Sequence, residues 1–294
     1  MNCPICRKDT IDIIYDDYIR DGGLGTLTKD TYKMYQCNGC KTIWHSTIKD
    51  SSNYYQTTEY RQSLERAVDV ESYHKAHDKE VLEKLQYTGT DIYRDKIVAD
   101  IGCGGGSFLD FISGVAGEII SIEPSAQYRS SLEKKGYHVF AYASEAIAQF
   151  KDKVDVVTSF DVIEHVDSPI DFMRDVHMLL KPGGVAVIGT PSDCPVMRKL
   201  LGKVYEQKLL FSYQHPWILS RESIEICCRE AGFKEVRIQS KQRYGISNLI
   251  SWLSEREAKG HMKYDFISDS VDDIYKGELS KKDIGDYWVC YVRK

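Results

Sequence analysis

The sequence lacks the long apolar run of a membrane protein and the leader of a secreted one. It has no stretch of about 18 consecutive apolar residues, roughly the length that a membrane-spanning helix needs. The opening residues, Met1 to Pro4, do not start a basic region followed by an apolar one, the pattern typical of a signal peptide. The composition, 42% hydrophobic and 28% charged, is that of an ordinary soluble protein. We therefore expect a cytoplasmic protein with no membrane partner.

The sequence also lacks a surplus of positive charge. Its formal net charge is −5 and its pI is near 5.9, whereas proteins that adhere broadly to nucleic acid usually carry a basic face. Nucleic acid is therefore a disfavoured partner, although a local basic patch stays open. The 294 residues suffice for one large domain or for a domain with an appendage.

The cysteines do not follow the pattern of a disulfide framework. Four of the nine form two Cys-x-x-Cys pairs, Cys3 with Cys6 and Cys37 with Cys40. Two such pairs separated by about thirty residues supply the four thiolates that tetrahedral zinc prefers. We therefore predict reduced thiols and a structural zinc bound by these four cysteines. The alternative is four unrelated buried or reactive cysteines.

The chain around these cysteines predicts a zinc-ribbon hairpin. Two short strand-like runs, residues 11–15 and 31–36, are separated by a glycine-rich stretch at 21–25. Residues 1–60 carry seven Lys or Arg and eight Asp or Glu, so the ribbon is close to neutral. A structural lid or a contact to another subunit, as in a homodimer, fits such a ribbon better than RNA binding does.

From residue 96 the pattern alternates between strands and helices. This alternation predicts βαβ units and a parallel sheet with helices on both faces, whose ligands bind at the carboxyl ends of the strands. The predicted strands are 97–101, 118–122, 138–142, 154–159, 185–189, 235–239 and a last antiparallel strand at 287–292. The predicted helices are 107–113, 126–135, 144–151, 168–180 and 220–232.

A glycine turn at residues 100–107 joins the first of these strands to a helix. Glycine allows positive φ and close approach of a ligand to the backbone, and the start of the helix offers unpaired N–H groups. By itself such a turn binds either a phosphate or the carboxylate of an amino-acid-like ligand. Glu123 follows the second strand about twenty residues later, where an acidic side chain can accept both hydroxyls of a ribose.

Four motifs together resemble the class I S-adenosylmethionine-dependent methyltransferases. They are Asp-Ile-Gly-Cys-Gly-Gly-Gly at 100–106, Ile-Glu-Pro-Ser at 122–125, Phe-Asp-Val-Ile-Glu-His-Val at 160–166 and Leu-Lys-Pro-Gly-Gly at 180–184. The resemblance implies a Rossmann-like seven-stranded α/β sheet preceded by a small zinc-ribbon domain. It also implies the following cofactor-binding residues: Asp100, Gly102, Cys103, Gly104, Gly106, Glu123, Pro124, Phe160, Asp161 and Val162.

The resemblance assigns parts of the cofactor to these residues. The glycines wrap the methionine half with Asp100 near its amino group, and Glu123 holds the ribose. A dinucleotide-binding dehydrogenase also has an acid after its second strand, but its glycines are spaced Gly-x-Gly-x-x-Gly. The spacing here is Gly-x-Gly-x-Gly, which favours the methyltransferase.

Two histidines are candidate general bases for methyl transfer. Imidazole titrates near neutrality, and His165 follows the strand whose end faces the cofactor in this fold. His215 lies after the fifth strand, where the fold usually inserts acceptor-binding structure. Each can instead serve to order its loop. A further alternative is a divalent metal bound by Asp161, Glu164 and His165.

The expected organisation is a zinc-ribbon-like domain at 1–60, a helical linker at 61–92 and a methyltransferase domain at 93–294. Acceptor-binding insertions are expected at about 191–219 and 241–286. The tail from 242 to 261 resembles methyltransferases of surface-polysaccharide and sugar-precursor pathways. The resemblance therefore implies O-methylation of a small polar acceptor: a sugar, a sugar-nucleotide or a phosphoryl-containing precursor of a surface glycan. The alternatives are a zinc-bearing RNA-base methyltransferase and a non-catalytic assembly module.

Overall fold

The computed structural model describes residues 1–45 and 69–294. The predicted linker at 61–92 therefore lies partly outside the described residues. The chain divides into two compact units, each built from separated segments. Unit 1 consists of Met1–Thr47, Thr190–Ile224 and Ile238–Val289, and unit 2 consists of Ile48–Gly189, Glu225–Arg237 and Cys290–Lys294.

Eleven strands in the described residues form two sheets. In chain order they are β1 (Ile11–Asp17), β2 (Tyr32–Cys37), β3 (Ile43–His45), β4 (Ile97–Ile101), β5 (Glu118–Ile122), β6 (His138–Phe140), β7 (Val154–Phe160), β8 (Leu180–Pro191), β9 (Trp217–Ile218), β10 (Glu235–Lys241) and β11 (Tyr287–Arg293). The larger sheet has seven strands in the order β10-β11-β8-β7-β4-β5-β6, and the smaller one has the order β1-β2-β3-β9.

Helices lie between the strands along the chain. They are α1 (Val70–His77), α2 (Val81–Thr88), α3 (Ser107–Ile112), α4 (Ala126–Lys134), α5 (Ala143–Phe150), α6 (Pro169–Leu179), α7 (Pro195–Leu201), α8 (Lys203–Tyr205), α9 (Arg221–Glu230), α10 (Ile246–Glu255) and α11 (Asp269–Lys281). A 3₁₀ turn, Asp78–Glu80, separates α1 from α2, and a π-helical turn, Glu206–Leu210, follows α8. The predicted α/β fold with a Rossmann-like seven-stranded sheet is confirmed.

The central strands of the large sheet are parallel, as the βαβ pattern predicts. β4 pairs with both β5 and β7, β5 pairs with β6, and β7 pairs with β8. Their side chains are buried on both faces, which explains why the strands are continuous apolar runs rather than alternating ones.

The last strand runs antiparallel to β8. Near the start of β8, Gly183 donates to Lys294 (2.8 Å) and Lys294 donates to Gly184 (3.0 Å). Just beyond the end of β8, Ser192 donates to Asp286 (3.0 Å), the residue before β11. The start of β8 thus lies beside the end of β11, and the end of β8 lies beside the start of β11. The predicted antiparallel last strand is confirmed.

The strand β8 is longer than predicted. It begins at Leu180 rather than at residue 185, because Leu180 already pairs with Val154 of β7. The register then jumps, so that the next pair is Val185 with Val156. Gly183 has φ of +79°, which lets the Lys-Pro-Gly-Gly motif bulge out of the strand without ending it.

The smaller sheet joins the cysteine-containing hairpin to a distant part of the chain. β1 and β2 pair antiparallel, as predicted, and β3 pairs with β9 through Ile43 with Ile218 and Trp44 with Trp217. The two parts also share one apolar core. Its buried members are Tyr15, Ile19, Met34, Ile43, Cys194, Met197, Leu201, Tyr205, Leu210, Phe211, Ile218 and Trp252.

Neither a membrane span nor a disulfide is found in the described residues. The longest helix there, α11, has 13 residues, and no helix is long and apolar enough to cross a bilayer. All nine cysteines lie within the described residues, and no two of them form a disulfide.

Candidate functional site

The glycine turn lies between β4 and α3, at the carboxyl ends of the central strands. Three of its glycines have positive φ: +76° at Gly102, +56° at Gly104 and +91° at Gly106. A side chain is strained in this region of backbone conformation, whereas glycine is not. The amide of Gly102 donates to the carbonyl of Ile122 (2.8 Å), which ties the turn to the end of β5.

Neighbouring side chains leave no room for a Cβ on the turn. A Cβ at Gly104 would overlap the hydroxyl and ring of Tyr73, and one at Gly102 would overlap Val162. At Gly106 it would lie 2.6 Å from Cδ2 of Leu132. The glycines are therefore required both by the backbone conformation and by close packing.

Glu123 follows β5 and is 1% exposed. Its Oε2 accepts a hydrogen bond from the amide of Gly104 (2.9 Å), and its Oε1 accepts one from the amide of Ser125 (2.9 Å). The side chain that the sequence analysis assigned to the ribose thus also fixes the middle of the glycine turn.

The side chain of Asp100 lies in the interior of the sheet, and the residue is 4% exposed. The Thr158 hydroxyl, on the neighbouring strand β7, donates to Asp100 Oδ1 (2.7 Å). Burial raises the pKa of the Asp100 carboxyl to about 6, while the Thr158 hydrogen bond opposes the shift.

The end of β7 carries the other predicted cofactor residues. Phe160 is buried, and its ring centroid lies 6.0 Å from that of Phe108 on α3. Asp161 is exposed with φ of +57°, and its amide donates to the carbonyl of Gly189 (3.0 Å). The positive φ turns the chain sharply here, so that Val162 comes back against the glycine turn.

The remaining predicted cofactor residues lie on the turns themselves. Cys103 is buried within the glycine turn. The carbonyl of Pro124, next to Glu123, accepts a hydrogen bond from Arg129 of α4. All the cofactor residues predicted from the sequence thus border the carboxyl ends of β4, β5 and β7 in unit 2.

Tyr73 packs on the glycine turn, a contact that was not predicted from the sequence. It lies on α1, and its hydroxyl donates to the Cys103 carbonyl at a long 3.5 Å. Its ring centroid is 5.0 Å from that of Tyr128 and 4.3 Å from that of His77. A capping box between Asp69 and Ser72 marks the start of α1 in the sequence. That signal predicts a helix, but not which face of it covers the glycines.

The two candidate bases belong to different units. His165, in unit 2, is half-buried in the turn after β7, where its amide donates to the Val162 carbonyl (2.9 Å). His215, in unit 1, is half-buried, and its amide donates to the Ser212 carbonyl (3.1 Å). Both stay predictions as catalytic groups.

The four cysteines of the two Cys-x-x-Cys pairs come together at one point. The Cys3 and Cys40 sulfurs are 3.6 Å apart, the Cys6 and Cys37 sulfurs are 3.4 Å apart, and all four lie within 4.8 Å of one another. Four sulfurs in a tetrahedral zinc site lie about 3.8 Å from one another, given Zn–S bonds of about 2.3 Å. The cluster therefore has the size that suggests a zinc site.

Hydrogen bonds around the cluster favour thiolate sulfur. The Gly39 amide donates to Cys37 Sγ (3.3 Å), and the Thr42 hydroxyl lies 3.1 Å from Cys40 Sγ. The contact with Cys3 lowers the pKa of the Cys40 thiol to about 4 and raises that of Cys3. A thiolate is the form of cysteine that binds a metal.

The fold and the glycine turn with its two buried carboxylates define a class I S-adenosylmethionine-dependent methyltransferase. The chain belongs to the Methyltransferase domain family, whose match covers residues 73–238. This match begins at Tyr73, the residue that packs on the glycine turn.

Curated relatives support the same class. An enzyme of Ruegeria pomeroyi named ubiquinone biosynthesis O-methyltransferase is 30% identical over 175 residues, covering 54% of this chain and 67% of the relative. One of the same name from Aromatoleum aromaticum is 28% identical over 155 residues, covering 49% and 66%. The match thus spans about two thirds of these relatives.

Solved structures share the fold at low identity. An S-adenosylmethionine-dependent methyltransferase of Archaeoglobus fulgidus has a TM-score of 0.53 at 18% identity, covering 76% of this chain and 97% of that one. The phosphoethanolamine N-methyltransferase 2 of Haemonchus contortus has a TM-score of 0.52 at 16% identity, covering 85% and 62%. At such identities the likeness concerns the fold alone.

The relatives correct the predicted acceptor. The tail motifs predict a sugar, a sugar-nucleotide or a phosphoryl-containing precursor in surface-polysaccharide biosynthesis. The curated relatives are instead named for ubiquinone biosynthesis, so that expectation is wrong. It depended on the resemblance of the tail, residues 242–261, which lies beyond the family match at 73–238.

We expect Gly104→Val to abolish S-adenosylmethionine binding in calorimetry, because the new side chain would overlap Tyr73 and strain a backbone with φ of +56°. The matched control is Gly136→Val, which has φ of +81° but no neighbouring atom within 4 Å of its Cβ. It should bind the cofactor as the wild type does, and the zinc content of both variants should be unchanged. Normal binding by Gly104→Val would mean that the cofactor site lies elsewhere.

Proposed function

We propose that the protein transfers a methyl group from S-adenosylmethionine to a phenolic hydroxyl of a small aromatic acceptor of the quinone-precursor type. The observation that carries this proposal is the 30% identity to an enzyme named ubiquinone biosynthesis O-methyltransferase, over two thirds of that relative. O-methylation requires a hydroxyl on the acceptor, and the reduced form of a quinone is a ring that carries hydroxyl groups. The methyl donor, S-adenosylmethionine, follows from the class of enzyme.

The residues around the glycine turn fit S-adenosylmethionine. Asp100 is a desolvated carboxyl at the end of β4, suited to pair with the amino group of the methionine half. Glu123 is held by two backbone amides and suited to accept the ribose hydroxyls. The absence of side chains at Gly102, Gly104 and Gly106 allows the backbone to approach the cofactor closely.

The cofactor supplies an electrophilic methyl on a sulfonium, and the protein must orient the acceptor and remove its proton. A phenolic hydroxyl has an ordinary pKa near 10, so an imidazole that titrates near neutrality is a suitable base. His165 and His215 are the candidates for this role. We also propose a structural role for Cys3, Cys6, Cys37 and Cys40, whose thiolates would bind a zinc ion.

We expect the purified enzyme to methylate catechol, the simplest ring with two vicinal hydroxyls, in the presence of S-adenosylmethionine. Mass spectrometry should detect a product heavier by one CH₂ group. Replacing the true base should lower kcat by about 100-fold or more, and His165→Gln and His215→Gln are the two variants to compare. His138→Gln is the control, because His138 pairs with Glu118 (2.9 Å) at the opposite end of the strands.

A wild-type enzyme that binds S-adenosylmethionine but leaves catechol unmethylated would contradict the phenolic acceptor. If catechol were methylated and both histidine variants kept full kcat, the proposal of a phenolic acceptor would be supported. Neither histidine would then be the base.

We expect cofactor binding to weaken as the pH falls through about 6. The Asp100 carboxyl has its pKa raised to about 6 by burial, so it holds a proton below that pH and cannot pair with an ammonium group. Affinity in calorimetry should be about tenfold lower at pH 5 than at pH 7, with proton release on binding at the lower pH. Asp100→Asn should bind more weakly with a flat pH profile.

The control for this pH dependence is Asp175→Asn. Asp175 lies on α6, outside the cofactor site, and burial also raises the pKa of its carboxyl. Its replacement should leave the pH profile as in the wild type. A profile that stays steep in Asp100→Asn would assign the titration to another group.

We expect one zinc ion per chain by elemental analysis, and its loss in Cys6→Ser, which removes the most exposed of the four thiols. Chelation should also lower the unfolding temperature, because β2 and β3 share the apolar core of unit 1 with α7 and β9. Cys194→Ser, a buried cysteine outside the cluster, should keep its zinc. Equal zinc contents in the two variants would contradict the four-cysteine site.

A further inference from the structure

The helix α11 of unit 1 buries none of its 13 residues. Two of its apolar side chains, Val271 and Ile274, are 44% and 68% exposed, and Phe266, three residues before the helix, is 73% exposed. Val271 and Ile274 are three residues apart and are therefore neighbours on the helix surface. Single exposed apolar residues are ordinary in soluble proteins, whereas clustered ones mark surfaces that associate with another molecule.

Two hydrogen bonds identify the inner side of α11. The Ile246 amide donates to Asp272 Oδ1 (2.9 Å), and the Gln242 amide donates to Ser280 Oγ (3.0 Å). Both donors belong to the segment that leads into α10. Since a helical turn takes about 3.6 residues, Ile274 lies about 200° around the helix from Asp272. Ile274 is therefore on the outer side of α11, away from the bonds that hold the helix to its own unit.

A glycine adjoins Ile274 on this outer side. Gly277 follows Ile274 by three residues, so the two are neighbours on the helix surface. Glycine destabilises the interior of a helix relative to alanine. No atom lies within 4 Å of the position that a Cβ at Gly277 would take, and its φ is not in the positive range. Neither the backbone nor the packing within the chain therefore requires glycine here, but its small size lets a second helix approach closely.

The two ends of α11 carry opposite charge. The first five residues of the helix include three aspartates, whereas residues 276–282 include three lysines and one glutamate. Asp273 is exposed and has no ion-pair partner among the described residues. Lys281 is exposed and pairs with Glu278 of the same helix (3.3 Å). The acidic start of one α11 is thus complementary to the basic end of another.

We propose that two copies of this chain associate through α11, with the two helices antiparallel and Gly277 at their crossing. In a two-fold dimer each copy makes the same contacts to the other. Gly277 is midway between Asp273 and Lys281, so Asp273 of each copy lies opposite Lys281 of the other. The antiparallel arrangement also places the positive end of each helix dipole beside the negative end of the other. This inference does not depend on the proposed methyl transfer.

Charge favours a second copy over the other occupants of such a face. A nucleic acid or an anionic membrane would be repelled by the three aspartates at the start of α11. A parallel copy would place aspartates beside aspartates and lysines beside lysines. Only the antiparallel copy pairs the two ends of the helix with their opposites while covering the exposed Ile274 side chain.

The test measures the mass of the purified full chain by analytical ultracentrifugation from about 1 µM to about 1 mM, the range of dissociation constants for weak complexes. We expect the mass to rise with concentration from 33.7 kDa towards twice that value. Ile274→Lys should raise the Kd of the dimer about tenfold or more, because it places a charge in the apolar centre of the contact. Leu200→Lys is the matched control: Leu200 is 49% exposed on α7 of the same unit, and its variant should associate as the wild type does.

A charge exchange tests the antiparallel register. Asp273→Lys and Lys281→Asp should each raise the dimer Kd about tenfold, because each creates two like-charge pairs across the two-fold axis. The double variant restores opposite charges and should return the Kd to within about threefold of the wild-type value. Gly277→Gln should stabilise the helix of the monomer, since glutamine has the higher helix propensity, and yet weaken the dimer by separating the helices. Circular dichroism checks that each variant is folded.

Three outcomes would overturn the inference. The first is a wild-type mass that stays at 33.7 kDa over the whole concentration range, whether α11 then contacts a different molecule or none. The second is a dimer that Ile274→Lys and Gly277→Gln leave unchanged, which would place the contact on another surface. The third is a double charge variant that associates no better than the two single ones, which would exclude the pairing of Asp273 with Lys281.

Discussion

The cofactor site depends on one buried carboxylate. Glu123 accepts hydrogen bonds from the amides of Gly104 and Ser125, so it joins the glycine turn after β4 to the start of the segment after β5. Three glycines with positive φ would otherwise leave the turn with many conformations, because glycine loses more backbone entropy on folding than any other residue. A single acid thus fixes the loop that we propose as the cofactor site.

Unit 1 depends on a different constraint, the pairing of β3 with β9. This ladder, together with the shared core, makes the cysteine hairpin part of a composite unit rather than an independent ribbon. The Ser220 hydroxyl reinforces it by donating to the Cys40 carbonyl (2.6 Å), while Ser220 also accepts the Ser223 amide at the start of α9. A zinc ion in the cysteine cluster would therefore stabilise the segment around β9 as well as the hairpin.

The local sequence pattern was sufficient to predict most strands of the larger sheet. The strands β4 and β5 begin and end where the sequence predicts, since a continuous apolar run bounded by turns leaves little choice. The predicted start of β8 was wrong. A Lys-Pro-Gly-Gly motif usually ends a secondary-structure element, but here it forms a bulge within the strand. The contacts of Tyr73 and the pairing of Trp44 with Trp217 could not be predicted, since both join residues far apart in sequence and no periodicity encodes them.

The acceptor was predicted wrongly for a related reason. Three of the four motifs that identify the family lie at the carboxyl ends of β4, β5 and β7, and the fourth lies at the start of β8. The first three are assigned to the cofactor, whose chemistry is the same for every acceptor, so they carry no information about the acceptor itself. Residues of unit 1 from distant parts of the chain, such as Tyr32 and Tyr213, are brought together by long-range contacts that no local pattern encodes. The acceptor therefore has to be identified by experiment rather than from these motifs.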